Sequence, residues 1–361
     1  MQFVIIRNSM RKCILILLLF WLTACSEHKL LKREITDRIE GITLAADDFI
    51  GSGFIGVNDN LLLFQSYDPD SLAVAYSMDG DALNLCGHFL LKGRGPKEFD
   101  QPYCRMSQND VHIINCEGYC SLESFRTGVV DTSAICAEFH IDSRQDIKWV
   151  NPFYFGGDFI VLEDGKVMAL GDRFGEKNLL SIIDVEKKIV TPLGYWIEDG
   201  YDGPVLPKQS IYLSNSKIYM NGNKLLYACG EGRYLELLTL DGDTIVGRSA
   251  IYDTYPEYES DRDQMNYRIH RNNYRGMRVF ATDAYIYVRL VPLRSPHEKF
   301  KGYPWYYFDE VEVYDWDGNF IKNYQTDTPF YAMAVTPDDK CLYTLTHSLS
   351  TNETILCRYC L

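Results

Sequence analysis

The sequence lacks an apolar run long enough to cross a membrane. Its apolar stretch from Ile14 to Ala24 has eleven residues, whereas a membrane-spanning helix needs about 20. The sequence also lacks a basic excess, because 36 Lys and Arg stand against 50 Asp and Glu, which gives a net charge of −14. Affinity for nucleic acid depends on cations that neutralise phosphates, so we expect no nucleic-acid partner.

Signatures of catalysis are missing as well. The seven histidines are scattered, and none stands in a G-x-S-x-G or H-E-x-x-H setting. The Asp-Gly segments are explained as hairpin turns, and no twelve-residue calcium loop follows them. We therefore predict no metal site and no cofactor, and the sequence identifies no catalytic residue.

The segment Leu22-Thr23-Ala24-Cys25 closes the apolar run, which the basic residues Arg7, Arg11 and Lys12 precede. A basic start, a short apolar core and small residues before a cysteine are typical of a lipoprotein signal peptide. We expect residues 1–24 to be this signal, residues 25–40 a tether lipidated at Cys25, and residues 41–361 the folded domain. Whether translation starts at Met1 or Met10 stays open.

This signal predicts that the first partner of the protein is a membrane, to which the protein is anchored through its N-terminal lipid. Ser26 follows the lipidated cysteine instead of Asp, which favours the outer membrane, in a periplasmic or a surface-facing orientation. We expect the anchored protein to be a monomer.

Cysteines offer little further chemistry. Of eleven, one leaves with the signal and Cys25 carries lipid, so an odd number remains and complete pairing is excluded. Cys116 and Cys120 either pair across a hairpin or are buried thiols. Cys357 and Cys360 fall on opposite faces of an expected strand, which makes them a poor metal pair.

Short strands and turns dominate the rest of the chain. Three similar turns, at Asp79-Gly80, Asp241-Gly242 and Asp317-Gly318, each separate two apolar strands, as tight hairpin turns do. Weaker equivalents are at residues 126–128 and 185–188. Five such turns imply a repeat of about 50 residues, the period of propeller blades.

The expected blades cover residues 52–91, 103–139, 153–196, 211–252 and 277–324, and a last one begins near residue 330. This last blade has only three strands before the chain ends, and residues 35–44 are available as its fourth strand. The sequence therefore predicts an all-β fold: a six-bladed β-propeller whose ring is closed by an N-terminal strand.

The junction between the first two blades reads Gly93-Arg94-Gly95-Pro96-Lys97-Glu98-Phe99. Together with the lipoprotein signal and the six-blade pattern, it resembles the six-bladed, TolB-like propeller lipoproteins of Bacteroidetes, which carry a G-[KR]-G-P-G-E-[FY] segment here. Lys97 departs from the family's usual glycine. The resemblance implies a fold and a compartment, but no reaction.

Long connections gather on the face opposite the Asp-Gly turns and provide the candidate ligand-binding residues. Arg94 and Lys97 would hold an anion with backbone N–H groups, or the segment only shapes a turn while Phe99 fills the core. Tyr303 and Trp305 would stack on sugar rings or on a protein partner, or they cover their own blade.

A third candidate is the connection Tyr252 to Gly276. Arg268, Arg271 and Arg275 have helical spacing, and acidic residues precede them, which predicts a short helix with an arginine stripe. These arginines would either bind an acidic ligand or pair with the protein's own carboxylates.

Two functions remain open from the sequence. The favoured one is a binding module that recognises a glycan, a peptide or another envelope protein. The alternative is a propeller hydrolase, lactonase or lyase with a metal in the central channel. It would need polar residues on several first strands, for which Asn58, Asn221 and Asp283 are the only hints.

Overall fold

The structure is a computed structural model. It describes residues 33–44, 49–58, 60–93, 98–99, 102–107, 110–116, 124–131, 143–148, 153–173, 175–184, 186–187, 189–270, 276–291, 307–351 and 353–361. The chain divides into two compact units, Met1–Glu34 and Ile35–Leu361. The fold below is that of the second unit. No helix in the described part of the chain combines the length and the apolar character that crossing a bilayer requires.

The second unit is an all-β propeller. Two short strands come first, β1 (Asp37–Ile39) and β2 (Ile42–Thr43). Five sheets then each contain four consecutive strands in meander order, and these are the complete blades.

The strands of the five blades have the following bounds. Blade one contains β3 (Gly51–Val57), β4 (Leu61–Ser66), β5 (Ser71–Asp79) and β6 (Ala82–Leu91). Blade two contains β7 (Pro102–Ser107), β8 (Asp110–Cys116), β9 (Ser124–Asp131) and β10 (Ser143–Lys148). Blade three contains β11 (Phe153–Val161), β12 (Val167–Arg173), β13 (Leu180–Asp184) and β14 (Ile189–Pro192). Blade four contains β15 (Lys217–Asn221), β16 (Lys224–Ala228), β17 (Arg233–Asp241) and β18 (Thr244–Thr254). Blade five contains β21 (Met277–Ala281), β22 (Tyr285–Leu290), β23 (Phe308–Asp315) and β24 (Phe320–Phe330).

One further sheet follows blade five, and we call it the terminal sheet. It has three consecutive strands, β25 (Ala332–Val335), β26 (Cys341–His347) and β27 (Thr354–Cys360). The N-terminal strand β2 pairs with β27 in antiparallel fashion, and β1 pairs with β24 of blade five in parallel fashion. The sequence predicts six full blades, whereas the described part of the chain contains five complete four-stranded meanders.

Apolar clusters fill the spaces between neighbouring sheets. In blade five, Ile286 and Val288 of β22 pack toward blade four, whereas Tyr287 packs toward the terminal sheet. The sequence pattern of β22 predicts two unlike faces, but both faces are buried because a blade has a neighbour on each side. The terminal sheet packs against blade five on one side and against blade one on the other.

The first strands lie innermost. Strand β3 contacts β7, β7 contacts β11, and β11 contacts β15, while β25 contacts both β3 and β21. Because each blade is an antiparallel meander, its first-to-second and third-to-fourth turns share one face of the propeller, here called the turn face. Connections between second and third strands, and between blades, lie on the opposite loop face.

The turns confirm part of the sequence analysis. All three Asp-Gly turns join third and fourth strands, and Gly80 and Gly242 have φ values of +61° and +55°, which favour glycine. The turn predicted at residues 126–128 is wrong, because these residues lie inside β9.

The loop face carries two elements outside the blades. Helix α1 (Val205–Leu213) precedes blade four, and a hairpin of β19 (Tyr258–Ser260) and β20 (Tyr267–Ile269) precedes blade five. Helix α1 contacts β11 and both strands of the hairpin. The helix predicted from the arginine spacing is therefore wrong where the segment is described, since a hairpin occupies it.

Candidate functional site

A polar cluster joins the innermost strands of three blades. It consists of Arg105 on β7, Asp158 on β11, and Lys217 and Tyr219 on β15, and we call it the channel cluster. The Arg105 Nη1 atom lies 3.1 Å from Asp158 Oδ2, and the Lys217 ammonium lies 3.4 Å from Asp158 Oδ1. The Arg105 guanidinium also lies 4.5 Å from the centre of the Tyr219 ring, a cation–π distance.

A bulge in β11 positions the carboxylate. The pairing of β11 with β12 shifts register between Phe155 and Phe159, across the segment Gly156-Gly157-Asp158. Gly157 has φ of +86°, and a Cβ atom there would approach Tyr103 Cε1 to 2.9 Å, so glycine is required. Bulges re-aim side chains next to binding sites, and this one directs Asp158 to β15.

Asp158 also completes the backbone hydrogen bonding of its neighbour. The Ile218 N–H of β15 donates a 2.8 Å hydrogen bond to Asp158 Oδ2. As the first strand of its sheet, β15 has one edge without a strand partner, and a buried N–H there needs an acceptor. One role of Asp158 is therefore structural.

The charges of the channel cluster do not balance. One carboxylate faces two cations, so the cluster carries one surplus positive charge. Asp158 is buried, with 6 % of its side chain exposed, whereas Lys217 is 44 % exposed. Lys217 is the first residue of β15 and so lies at the loop-face end of that strand. The Lys217 ammonium is an accessible cation with the chemistry to bind an anion.

A second polar cluster links the loop-face elements. The Lys208 ammonium of α1 lies 2.6 Å from Asp199 Oδ1, and both side chains are almost fully buried. The hydroxyls of Tyr212 and Tyr258 donate to Asp199 Oδ2 over 2.8 and 3.0 Å. Since Tyr258 belongs to the hairpin, Asp199 joins two of the long connections that the sequence predicts on one face.

Electrostatics keeps Asp199 ionised. Burial would raise the pKa of its carboxyl, but hydrogen bonds from Lys208, Tyr212 and the Tyr201 N–H outweigh burial and lower the pKa below its ordinary value. Charge is balanced here, and both ions are out of solvent. This cluster is a structural joint between α1 and the hairpin.

Of the predicted ligand-binding residues, Arg268 is described. It lies on β20, with 71 % of its side chain exposed, and its Nη1 atom is 3.7 Å from Glu259 Oε1 across the hairpin. Arg268 thus pairs with the protein's own carboxylate. The other predicted residues lie outside the described part of the chain: Cys25, Arg94, Lys97, Arg271, Arg275, Tyr303 and Trp305.

Described neighbours of those residues have structural roles. Phe99 is buried in the core between blades one and two, and its carbonyl accepts a 2.9 Å hydrogen bond from the Gly93 N–H. Tyr307, just after the predicted aromatic pair, is also buried, and it contacts His347. Both observations favour core roles for the described ends of these loops.

The side chains of Asn58 and Asn221, two of the three polar residues considered for a metal site, make hydrogen bonds at the ends of their strands. Asn58 Oδ1 accepts the Leu61 N–H over 2.9 Å, and the Asn221 side chain donates to the Asp283 carbonyl over 2.6 Å. Within the described ranges, no group of three or more His, Cys, Asp or Glu side chains is arranged to hold a metal ion.

Sequence reasoning missed Arg105, Asp158 and Lys217. These residues lie far apart in the chain and meet only because first strands converge at the centre of a propeller. The usable signal was the pair of glycines before Asp158, because glycine inside a strand marks a bulge or a close approach.

Comparison with one solved structure supports the fold. The chain is similar to a solved member of the DUF4221 family from Bacteroides vulgatus, with 12% sequence identity, 91% of this chain and 97% of that chain covered, and a TM-score of 0.55. It is also similar to the Cps50 (Swd1) β-propeller domain of Myceliophteria thermophila, with 9% identity, 89% and 99% coverage, and a TM-score of 0.41. No family model matches the chain, and no curated protein does. At these identities the likeness is one of fold: the chain is a β-propeller with a structural neighbour in an uncharacterised Bacteroides family.

Proposed function

We propose that this protein is a lipid-anchored envelope lipoprotein whose propeller binds an acidic glycan at the loop-face end of its centre. One observation carries the binding part of the proposal. Arg105 and Lys217 share the single carboxylate of Asp158, and the Lys217 side chain is 44 % exposed. The anchor is supported by the segment Leu22-Thr23-Ala24-Cys25, which has the pattern of a lipoprotein signal.

The chemistry of the cluster favours a sugar acid. A uronic acid presents a carboxylate together with an apolar ring face, and the cluster contains both the exposed ammonium of Lys217 and the half-buried ring of Tyr219. In a chain with a net charge of −14, a local surplus of positive charge is informative, because an acidic ligand would otherwise be repelled.

Binding is tested with Lys217→Ala and a matched control, Lys187→Ala. Lys187 also pairs with an aspartate, Asp184, but it lies on the turn face and is 70 % exposed. We expect wild type to bind oligogalacturonate in preference to a neutral oligosaccharide, and Lys217→Ala to weaken binding at least tenfold. The control should bind like wild type, and added salt should weaken all binding.

Calorimetry or a glycan array measures these affinities. Equal binding by both variants would contradict the site, as would no binding of acidic sugars by wild type. A wild type that binds a polyglutamate peptide and no sugar would assign the cluster to an acidic protein partner instead.

We also propose that the terminal sheet is a sixth blade, completed by the N-terminal segment 35–44. Support comes from its packing against blades five and one, and from Leu44, whose N–H donates to the Leu356 carbonyl over 3.0 Å. The segment passes close to Tyr359, because a Cβ atom on Gly41 would lie 2.6 Å from that ring.

Gly41→Val tests this closure without removing any chain. Tyr359 is fully buried, so a valine side chain against its ring should displace the segment and lower the melting temperature by several degrees. Deleting residues 35–44 should lower it further, whereas deleting residues 26–32 should not. Unchanged melting in the first two variants would make the segment a mere tether.

The anchor is tested by Cys25→Ala. Loss of the acceptor thiol should leave the precursor uncleaved or release the protein from the membrane fraction. Normal processing and partitioning of the variant would refute lipidation.

A further inference from the structure

Two cysteines face each other at the end of the terminal sheet. Cys341 is the first residue of β26, Cys360 is the last residue of β27, and the two are direct partners in the antiparallel register. The Leu361 N–H donates to the Lys340 carbonyl over 2.9 Å. This bond flanks the two cysteines, which identifies them as a non-hydrogen-bonded pair.

Such a pair has the spacing that a disulfide requires. Opposite residues at non-hydrogen-bonded positions have Cα atoms about 4.5 Å apart and side chains on the same face. Disulfides span Cα distances of about 4.4–6.8 Å. The backbone therefore needs little movement to bring the two sulfurs together.

Both thiols are also reachable. Cys360 is exposed and Cys341 is half-buried, whereas Cys229 and Cys357 are buried. Burial and the nearby Cys360 raise the pKa of Cys341, and Arg358 opposes this rise. Burial raises the pKa of Cys229 to about 11 and that of Cys104 to about 12, which leaves those thiols poorly reactive near neutral pH.

We propose that Cys341 and Cys360 form a disulfide in the mature protein. Two S–H bonds break and one S–S bond forms, and the two electrons and two protons pass to the disulfide of a thiol oxidase, which becomes a dithiol. The cell envelope supplies such oxidants, so the inference rests on the proposed export.

The bond would fix the last strand of the propeller. Strand β27 pairs with β2, and its Arg358 contacts Asp81 and the Gly80 carbonyl of blade one. A covalent link to β26 at Cys360 would therefore secure β27, the strand that pairs with the N-terminal strand β2 and contacts blade one.

The first test uses the purified full chain. After incubation with oxidised glutathione, a non-reduced digest should contain one cross-linked species joining the peptides of Cys341 and Cys360. Reduction should lower the melting temperature by about 5 °C in wild type. Reduction should leave the melting temperature of Cys341→Ser unchanged. The control Cys86→Ser alters a half-buried thiol on β6, and the neighbouring strand β5 contains no cysteine. This control should respond to reduction like wild type.

Full alkylation of both thiols after oxidation, or a link from either to another cysteine, overturns the proposal. A second test traps thiols in intact cells alongside fractionation. Exported protein with both thiols free would refute the disulfide while leaving the proposed function intact. Protein retained in the cytosol would refute export, and with it formation of the bond in the cell, even where the bond forms in vitro.

Discussion

Glu236 of blade four and Asp158 of blade three are both buried carboxylates beside an arginine, yet their surroundings differ. Glu236 receives two hydrogen bonds from Arg248, at 2.9 and 3.0 Å, and one each from the hydroxyls of Tyr195 and Tyr234, both at 2.7 Å. Its single charge meets a single opposite charge. Asp158 instead meets Arg105 and Lys217, and one cation is left over.

This difference separates a structural cluster from a candidate site. Tyr195 follows blade three and Glu236 belongs to blade four, so the balanced cluster fastens two blades together. A balanced, fully hydrogen-bonded cluster gains nothing from a ligand. The surplus cation of the channel cluster gains a partner when an anion binds. Substitutions should therefore cost stability in one place and affinity in the other.

The largest loss of stability is expected at the most deeply buried ion pair, Asp199 with Lys208. Lys208→Met leaves the Asp199 carboxylate buried without its cation, which should cost about 3–5 kcal/mol of unfolding free energy. Lys187→Met, at a pair whose lysine is 70 % exposed, should leave the free energy of unfolding almost unchanged. Denaturant unfolding of both variants measures the contrast.

A double variant, Lys208→Met with Asp199→Leu, sharpens that result. Replacing both ions by apolar residues removes the unpaired charge, so most of the lost stability should return. A double variant as unstable as the single one would mean that hydrogen bonds from the tyrosines, and not the charge, dominate this joint.

Glu236→Gln should have a smaller effect, about 2–3 kcal/mol. The amide keeps one acceptor for the tyrosines, and Arg248 is 41 % exposed, so water replaces part of the lost pairing. Lys217→Ala should cost less than about 1 kcal/mol, because Arg105 and the Ile218 N–H still bind Asp158. Similar losses in both variants would erase the distinction between the two clusters.

Local patterns in the sequence predicted the propeller because its hairpins are local. The Asp-Gly turns need a positive φ that glycine supplies, and the bounds predicted for blade one, residues 52–91, agree closely with β3 to β6. Among the described residues, the complete blades number five. The sixth remains a proposal because the fourth strand of the terminal sheet is only two residues long.

Elements that depend on tertiary packing were not predictable in this way. The start of blade four is predicted at Ile211, but this residue lies in helix α1. Every residue from Pro207 to Leu213 is buried, and a short buried segment carries no periodicity that separates helix from strand. The Arg268 segment has acids before bases, as a helix would, but the same residues pair across a hairpin.

At low pH, wild type should lose the stability that the ionised Asp199 provides, whereas a variant without this ion pair should not. The pKa of Asp199 is lowered from 3.8, so its contribution to stability is complete above the unfolded value and is lost as pH falls through the folded value. The double variant Lys208→Met with Asp199→Leu should therefore lose less stability than wild type below about pH 4. Melting temperatures across this range measure the effect, and parallel pH curves would contradict it.

The smallest effect is expected for Arg268→Ala on the hairpin. Its partner Glu259 is 53 % exposed and lies 3.7 Å away, and such surface pairs contribute at most about 0.5 kcal/mol. Denaturation should detect almost no change, and Glu259→Gln should behave in the same way.

Binding of oligogalacturonate by Arg268→Ala decides more sharply where the ligand binds, because the arginine-stripe hypothesis and the channel cluster make opposite predictions for its affinity. Unchanged affinity in Arg268→Ala, with weakened affinity in Lys217→Ala, would locate the ligand at the centre of the propeller. The reverse result would return the site to the hairpin and leave the channel cluster with a structural role.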